Sequence, residues 1–276
     1  MAEFLSLHEA VARYVQDGST VAMEGFTHLI PFSAGHEVIR QGTRNLTLIR
    51  MTPDLIYDQL IGAGCVEKVI FSWGGNPGVG SLHRLRDAVE KGWPQQIEIL
   101  EHSHAAMACA FEAGAAGLPL AVLRGYIGSE LPSVNSQIRF IECPFTGERL
   151  AAVPSVRPDT SIVHAQKADR NGNVLIEGIV GVQKEAVLAA KQSIVTVEEQ
   201  VDELDAHPNA CVIPAWAIDA VVVAKKGALP SYTHGYYERD NQFYKDWDGI
   251  ARDRETFTQW LNEYVLESTE GAGGQD

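Results

Sequence analysis

Short, almost wholly apolar runs alternate with helix-patterned stretches along this chain, and that rhythm admits few folds. Thr20–Met23, Asn45–Arg50, Glu67–Ser72 and Ile97–Leu100 read as strands. Helical spacing follows each of them, after Pro31, over 54–61, over 82–92 and over 102–112. Repeated strand–helix units of this length need right-handed crossovers, which lay the strands parallel. Further on, Ser161–Ala165, Ser193–Val197 and Ile218–Val223 are apolar without interruption, as strands covered on both faces must be. The pattern predicts an α/β fold with an open, mainly parallel sheet and helices on both faces. In such a sheet, ligands meet the loops at the carboxyl ends of the strands.

Local signals fix several boundaries. Ser6 with Glu9 forms a capping-box pattern before a helix holding Leu7, Ala10, Val11 and Tyr14. Pro53 suits the first turn of a helix that stops at Gly62 and Gly64. Glycines at 114, 117 and 125 loosen the chain, and from Tyr126 to Gly147 the pattern is irregular, holding a short strand Ile138–Ile141 and a CPFTGE turn. Leu150–Val153 is a further strand, DRNGN (169–173) a turn, Val174–Ile176 its continuation, and Val182–Ala190 a helix. From Arg252 to Leu266, Phe257, Trp260, Leu261 and Tyr264 share one helical face. No Pro/Gly/Ser linker divides the chain, so residues 1–268 are expected to form one domain and 269–276 a disordered tail.

Composition narrows the function. With 276 residues, 45% of them hydrophobic, the chain can bury a substantial core. Lys and Arg total 22 against 36 Asp and Glu, a net charge of −14, which argues against nucleic acid as a partner. A few local cations or helix N-termini can still hold an anionic ligand. The N-terminus does not read as a signal peptide and no run is long enough to span a membrane, so a cytoplasmic protein is expected. Cysteines at 65, 109, 143 and 211 lack CxxC spacing and read as reduced thiols, not a disulfide framework or zinc site.

Several segments are candidate sites. Glu24–His28 follows the first core strand: Gly25 permits close ligand approach, successive amides can meet an oxyanion, and Glu24 can serve as base or nucleophile, or be a solvated turn residue. The segment 73–81, WGGNPGVGS, lies between strand and helix like a phosphate-cradling loop, but lacks the GxGxxG and Gly-Lys-Ser/Thr patterns; tight-turn scaffolding is its alternative. EHSHAA (101–106) reads as a helix N-terminus in preference to a metal site, with Ser103 or Glu101 meeting polar groups, and no metal is expected. His164, Gln166 and Lys167 face either a crevice or a polar layer at a subunit contact, and the aromatic run 234–247 reads as an interface. No GxSxG is present, which disfavours an α/β-hydrolase.

The stretch DGSTVAMEGFTHLIP, with SWGGNPGVGSLHRLRDAVEKGWP, CPFTGE, AAVPSVRPD, IVHAQKADRNGNV and HGYYERDNQFY, resembles the A, or alpha, subunits of class I coenzyme A transferases from about Ala2 to Leu266. Asp17, Gly18, Gly25, Phe26 and Pro31 match the family's signature; Glu24 and Ile30 stand where glycines are usual, which crowds the loop. The resemblance implies CoA transfer from succinyl-CoA to a short acid, 3-oxoadipate first and glutaconate or another acid second. Hydrolysis of a CoA ester and non-catalytic acyl-CoA binding are its rivals. It also implies a glutamyl-CoA intermediate on a partner B subunit carrying Ser-Glu-Asn-Gly, a motif absent from this chain, in a heterodimer or heterotetramer. CoA esters would be substrates, with no tightly bound cofactor. On that basis Gly25, Phe26, Thr27, His28, Gly74, Gly75 and Asn76 are expected to shape the pocket. Arg50, His28 and Ser103 are expected to face substrate, with Arg50 or His28 as donor to its remote carboxylate. Glu24 is the in-chain alternative nucleophile.

Overall fold

A computed structural model describes residues 2–267; the tail 269–276 expected to be disordered lies outside the described residues. The strands are β1 (Glu3–Phe4), β2 (Thr20–Glu24), β3 (Leu46–Ile49), β4 (Val66–Phe71), β5 (Glu98–Glu101), β6 (Leu120–Leu123), β7 (Arg139–Glu142), β8 (Arg149–Pro154), β9 (Thr160–Asp169), β10 (Val174–Ile176), β11 (Gln192–Val201), β12 (Cys211–Ile213) and β13 (Ala220–Val223). The helices are α1 (Leu7–Tyr14), α2 (Phe32–Arg40), α3 (Leu55–Gly62), α4 (His83–Lys91), α5 (His104–Ala115), α6 (Leu131–Val134), α7 (Gln183–Ala189), α8 (Asn241–Arg252) and α9 (Arg254–Leu261).

The main sheet runs β1-β13-β11-β9-β2-β3-β4-β5, and every neighbouring pair in that order is parallel. From β2 the chain steps outward through β3, β4 and β5, then returns to lay β9 against the other side of β2. The strand order therefore reverses at the β2/β9 boundary, the place where sheets of this kind open a crevice at their carboxyl ends. β10 and β12 extend the sheet antiparallel from β9.

Alternating side chains feed two faces. Val21 and Met23 of β2, Leu48 of β3 and Ile162 of β9 join the core built by α1–α4, α8 and α9. Ala22 and Ile49 point the other way, into a core shared with α5. Val163, Val195 and Val221 meet Val187 of α7 on that second face. The open, mainly parallel sheet with helices on both faces is thus as the sequence pattern predicts.

The segment 118–157 differs from the sequence expectation. It forms a separate antiparallel sheet, β6-β8-β7, whose inner residues Ala121, Ala151, Val153 and Phe140 cap α5. Gly114 does not loosen the chain; it lies within α5, where its missing side chain lets the Val156 carbonyl approach. Pro53 precedes the helix, and Asp54 caps it by accepting the Leu55 N–H at 2.6 Å. The Ser6–Glu9 capping box is complete.

The aromatic run 234–247 also departs from its expected role. Tyr244 and Trp247 are buried in the chain's own core, with Trp247 against Trp260 at 4.7 Å and Phe257 at 6.0 Å between ring centroids. Trp247 Nε1 donates to Asp58 Oδ2 at 3.0 Å. At the C-terminal end, Asn262–Leu266 winds as a π-turn, which re-phases the helix face. Val265 takes the buried position and Tyr264 is left 63% exposed. All four cysteines are free thiols. No helix among the described residues is long and apolar enough to cross a membrane.

Candidate functional site

Two neighbouring strand ends grip each other at the switch point. Glu24 closes β2, and its Oε1 accepts the Met51 N–H, just beyond β3, at 3.0 Å. Arg50 follows β3, and its Nη2 donates to the Gly25 carbonyl, just beyond β2, at 2.8 Å. Both side chains are buried, at 3% and 1% exposure. Burial pushes the Glu24 carboxyl up to about 7 against the pull of Arg50 and the Met51 and Gly25 amides. Arg50 Nε and Nη1 have no partner among the described residues. Arg50 therefore lies beneath the loop and does not line the crevice, where a carboxylate donor was expected.

The loop after β2 is tightly wound. A side chain on Gly25 would sit 2.5 Å from the Leu29 carbonyl oxygen, which explains the glycine. Thr27 and Leu29 adopt left-handed φ values of 63° and 55°, costly for a branched residue such as threonine. Two contacts brace the turn: Leu29 N donates to the Tyr232 carbonyl at 2.9 Å, and His28 Nε2 lies 2.7 Å from the Ile179 carbonyl. Because a carbonyl only accepts, His28 carries its proton on Nε2. Burial pushes the His28 pKa down, so the ring is neutral and its one N–H is spent. It stacks on Tyr232 with centroids 5.0 Å apart. His28 is thus a brace and not a free donor; Phe26, half-buried, and Thr27, exposed, are the residues of the turn that reach outward.

The glycine-rich segment is occupied by its own chain. The N–H groups of Asn76 and Gly80 close onto each other's carbonyls, and Gly75 N donates to the Pro53 carbonyl. Asn76 Nδ2 points inward to the Tyr244 carbonyl at 2.7 Å, holding α8. Gly75 leaves room for the Trp73 ring, and Gly74 is exposed. With its amides already paired, this loop is a turn scaffold and not a phosphate cradle. Ser103 caps α5 by accepting from Ala106 N at 3.2 Å. It follows edge strand β5, three strand spacings (roughly 14 Å) from β2, so it is not brought to the Glu24 loop.

His164 does not face a subunit contact either. It lies within β9, fully buried, with Nε2 2.8 Å from Glu198 Oε1 and Nδ1 2.7 Å from Thr196 Oγ1, both on β11. The same Glu198 oxygen receives Tyr237 and Thr233 hydroxyls, at 2.6 and 3.1 Å. Sequence reasoning misses this network and Tyr232; the only local signal is a polar residue breaking each apolar strand. Lys167 pairs with Glu199 at 3.2 Å. Among the described residues, no group of three or more His, Cys, Asp or Glu is arranged to hold a metal ion.

Comparison with known proteins places this geometry. The profile of the coenzyme A transferase family matches residues 4–224. The A chain of the two-chain 3-oxoadipate CoA-transferase from Pseudomonas knackmussii is 69% identical over 265 residues, covering 96% of this chain and 94% of that one. The corresponding chain of glutaconate CoA-transferase from Acidaminococcus fermentans is 32% identical, covering 97% and 89%. The crystal structure of the Acidaminococcus enzyme matches at a TM-score of 0.92 and 31% identity, covering 98% of this chain and 90% of that one. This chain belongs to the coenzyme A transferase family.

Proposed function

We propose that the chain is the alpha-type half of a two-subunit enzyme that moves CoA from succinyl-CoA to 3-oxoadipate. The observation carrying this reading is the near-full-length similarity to the Pseudomonas protein. The switch-point loop supports it, because a turn braced on all sides is what a water-excluding acyl pocket needs.

The reactive carboxylate comes from the partner, within a Ser-Glu-Asn-Gly motif that this chain lacks. Glu24 is a poor substitute, being buried and engaged with Met51 N. The partner's glutamate attacks the succinyl thioester carbonyl; CoA thiolate leaves and a mixed anhydride forms. The thiolate then attacks the glutamyl carbonyl of the anhydride, releasing succinate and leaving a glutamyl-CoA thioester. The carboxylate of 3-oxoadipate repeats both steps in reverse, so the thioester bond energy is not lost to water. CoA esters are substrates throughout. Phe26 and Thr27 contact the acyl group from this side of the pocket, and the turn amides lie beside it.

Co-expression with a candidate partner tests the division of labour. The complex should convert labelled succinate and unlabelled succinyl-CoA into labelled succinyl-CoA, and should form 3-oxoadipyl-CoA. The isolated chain should do neither. Full turnover by the isolated chain, or hydrolysis without label exchange by the complex, overturns the proposal.

A further inference from the structure

The crossed contacts of Glu24 and Arg50 are unusual in what they cost. Each side chain leaves its own strand and holds the backbone that follows its neighbour's strand. Arg50 is 1% exposed and leaves two guanidinium nitrogens unpartnered among the described residues. Unpaired buried donors are destabilising, and an apolar side chain of similar volume commonly serves a core position better. A buried arginine kept at such a cost is explained by what it holds.

What it holds is the start of a strained turn. Left-handed conformations at Thr27 and Leu29 persist only where surrounding contacts over-determine them. Tyr232 and Ile179 brace the far end of that turn, at Leu29 and His28. Its near end is fixed by Arg50, through the Gly25 carbonyl. A trans peptide carries its C=O and N–H in opposite directions. With the Gly25 carbonyl drawn inward, the N–H of Phe26 is directed away from Arg50, to the outer side of the turn.

We propose that Glu24 and Arg50 act together as positioning residues, a cross-strand clamp that sets the orientation of the Gly25–Phe26 peptide for the transfer reaction. Arg50 aims the peptide. Glu24 holds Met51, and with it the backbone that carries Arg50, and supplies a nearby negative charge to a guanidinium buried away from solvent. Neither group touches substrate. The inference rests on the transferase reading above.

Two measurements on Arg50→Met and Arg50→Lys test it. In the assembled enzyme with its partner, Arg50→Met should lower kcat about 30-fold or more, with both KM values within threefold of the parent. Arg50→Lys, which keeps one donor for the Gly25 carbonyl, should recover part of that loss. In the isolated chain, hydrogen exchange across residues 24–31 should quicken in Arg50→Met while the β9 and β11 amides stay protected. Parent-like kcat in Arg50→Met, a loss confined to KM, or unchanged exchange overturns the clamp. If Arg50→Met fails to fold, Arg50→Lys decides: parent-like kcat and exchange in a lysine variant that no longer hydrogen-bonds Gly25 also overturns it. An inactive parent complex would refute the transferase reading instead, and the exchange measurement would still judge the clamp.

Discussion

His164 Nε2 and Glu198 Oε1 meet at 2.8 Å inside the sheet, joining β9 to β11 where both side chains are buried. Glu198 also accepts from Lys226 N, Thr233 and Tyr237, so one carboxylate ties the 226–237 segment to the sheet. That segment delivers Tyr232 to His28. Glu198→Ala should therefore cost about 3–5 kcal/mol, because it strands buried donors. Burial pushes the Glu198 carboxyl up, but its hydrogen bonds and His164 outweigh this and hold it below the ordinary value. A depressed carboxyl contributes stability that is present above its unfolded pKa of 4.5 and lost as pH falls through the folded value. Urea unfolding should show an acid loss of stability below that pH, shallower in Glu198→Gln.

Glu24 has the opposite sign. Its carboxyl is raised from 4.5 to about 7, so its contribution is favourable below the unfolded value and fades as pH rises through the folded one. The difference amounts to about 3 kcal/mol once the pH is above the folded value. Glu24→Gln should raise the melting temperature of the isolated chain at pH 8 and leave it unchanged at pH 4. A stabilised variant that turns over more slowly would be the trade expected of a positioning group. Equal gains at both pH values would count against an ionised, desolvated Glu24.

Gly25→Ala probes the turn from its inner side. The new methyl would press on the Leu29 and His28 carbonyl oxygens at 2.5 and 2.9 Å, both backbone atoms that cannot swing aside. Turnover of the assembled enzyme should drop at least tenfold, and stability by roughly 1–3 kcal/mol, the range for local backbone strain. Steady-state kinetics alongside thermal unfolding would separate the two effects.

Trp247 makes a cleaner test of the core. Trp247→Phe keeps most of the ring contacts with Trp260 and Phe257 but removes the donor to Asp58 Oδ2. Asp58 keeps the Leu85 N–H on its other oxygen. The loss should be about 1–3 kcal/mol, the cost of one buried acceptor left unpaired, read from the denaturation midpoint.

How legible this chain is depends on the span of each interaction. The Ser6–Glu9 box closes over three residues and can be read directly. The parallel strands declare themselves because burial on both faces demands unbroken apolar runs. Gly25 is marked by its place between a strand and an irregular loop. By contrast, His164 and Glu198 lie 34 residues apart, and nothing local says that a histidine in one strand answers a glutamate in another. Asn76 looks like a ligand-facing loop residue, yet its partner, Tyr244, lies 168 residues away. The 118–157 sheet escapes a sequence reading because its strands are short and its edges exposed, which blurs the alternation on which such readings depend. Tyr264 leaves its expected face because a π-turn breaks the helical period.

The place of β2 in the strand order bears on how the chain acquires its shape. This strand is among the first segments to leave the ribosome, yet one of its two neighbours, β9, begins near residue 160, with Asp159 capping Thr20 N across 139 residues. At ordinary translation speeds of 5–20 residues per second, the bare edge waits roughly 7–30 s for its mate. During that interval an apolar, hydrogen-bond-hungry ribbon is open to other nascent chains. Truncations before β9 should accordingly collect in inclusion bodies, and slower synthesis should raise the demand for chaperones.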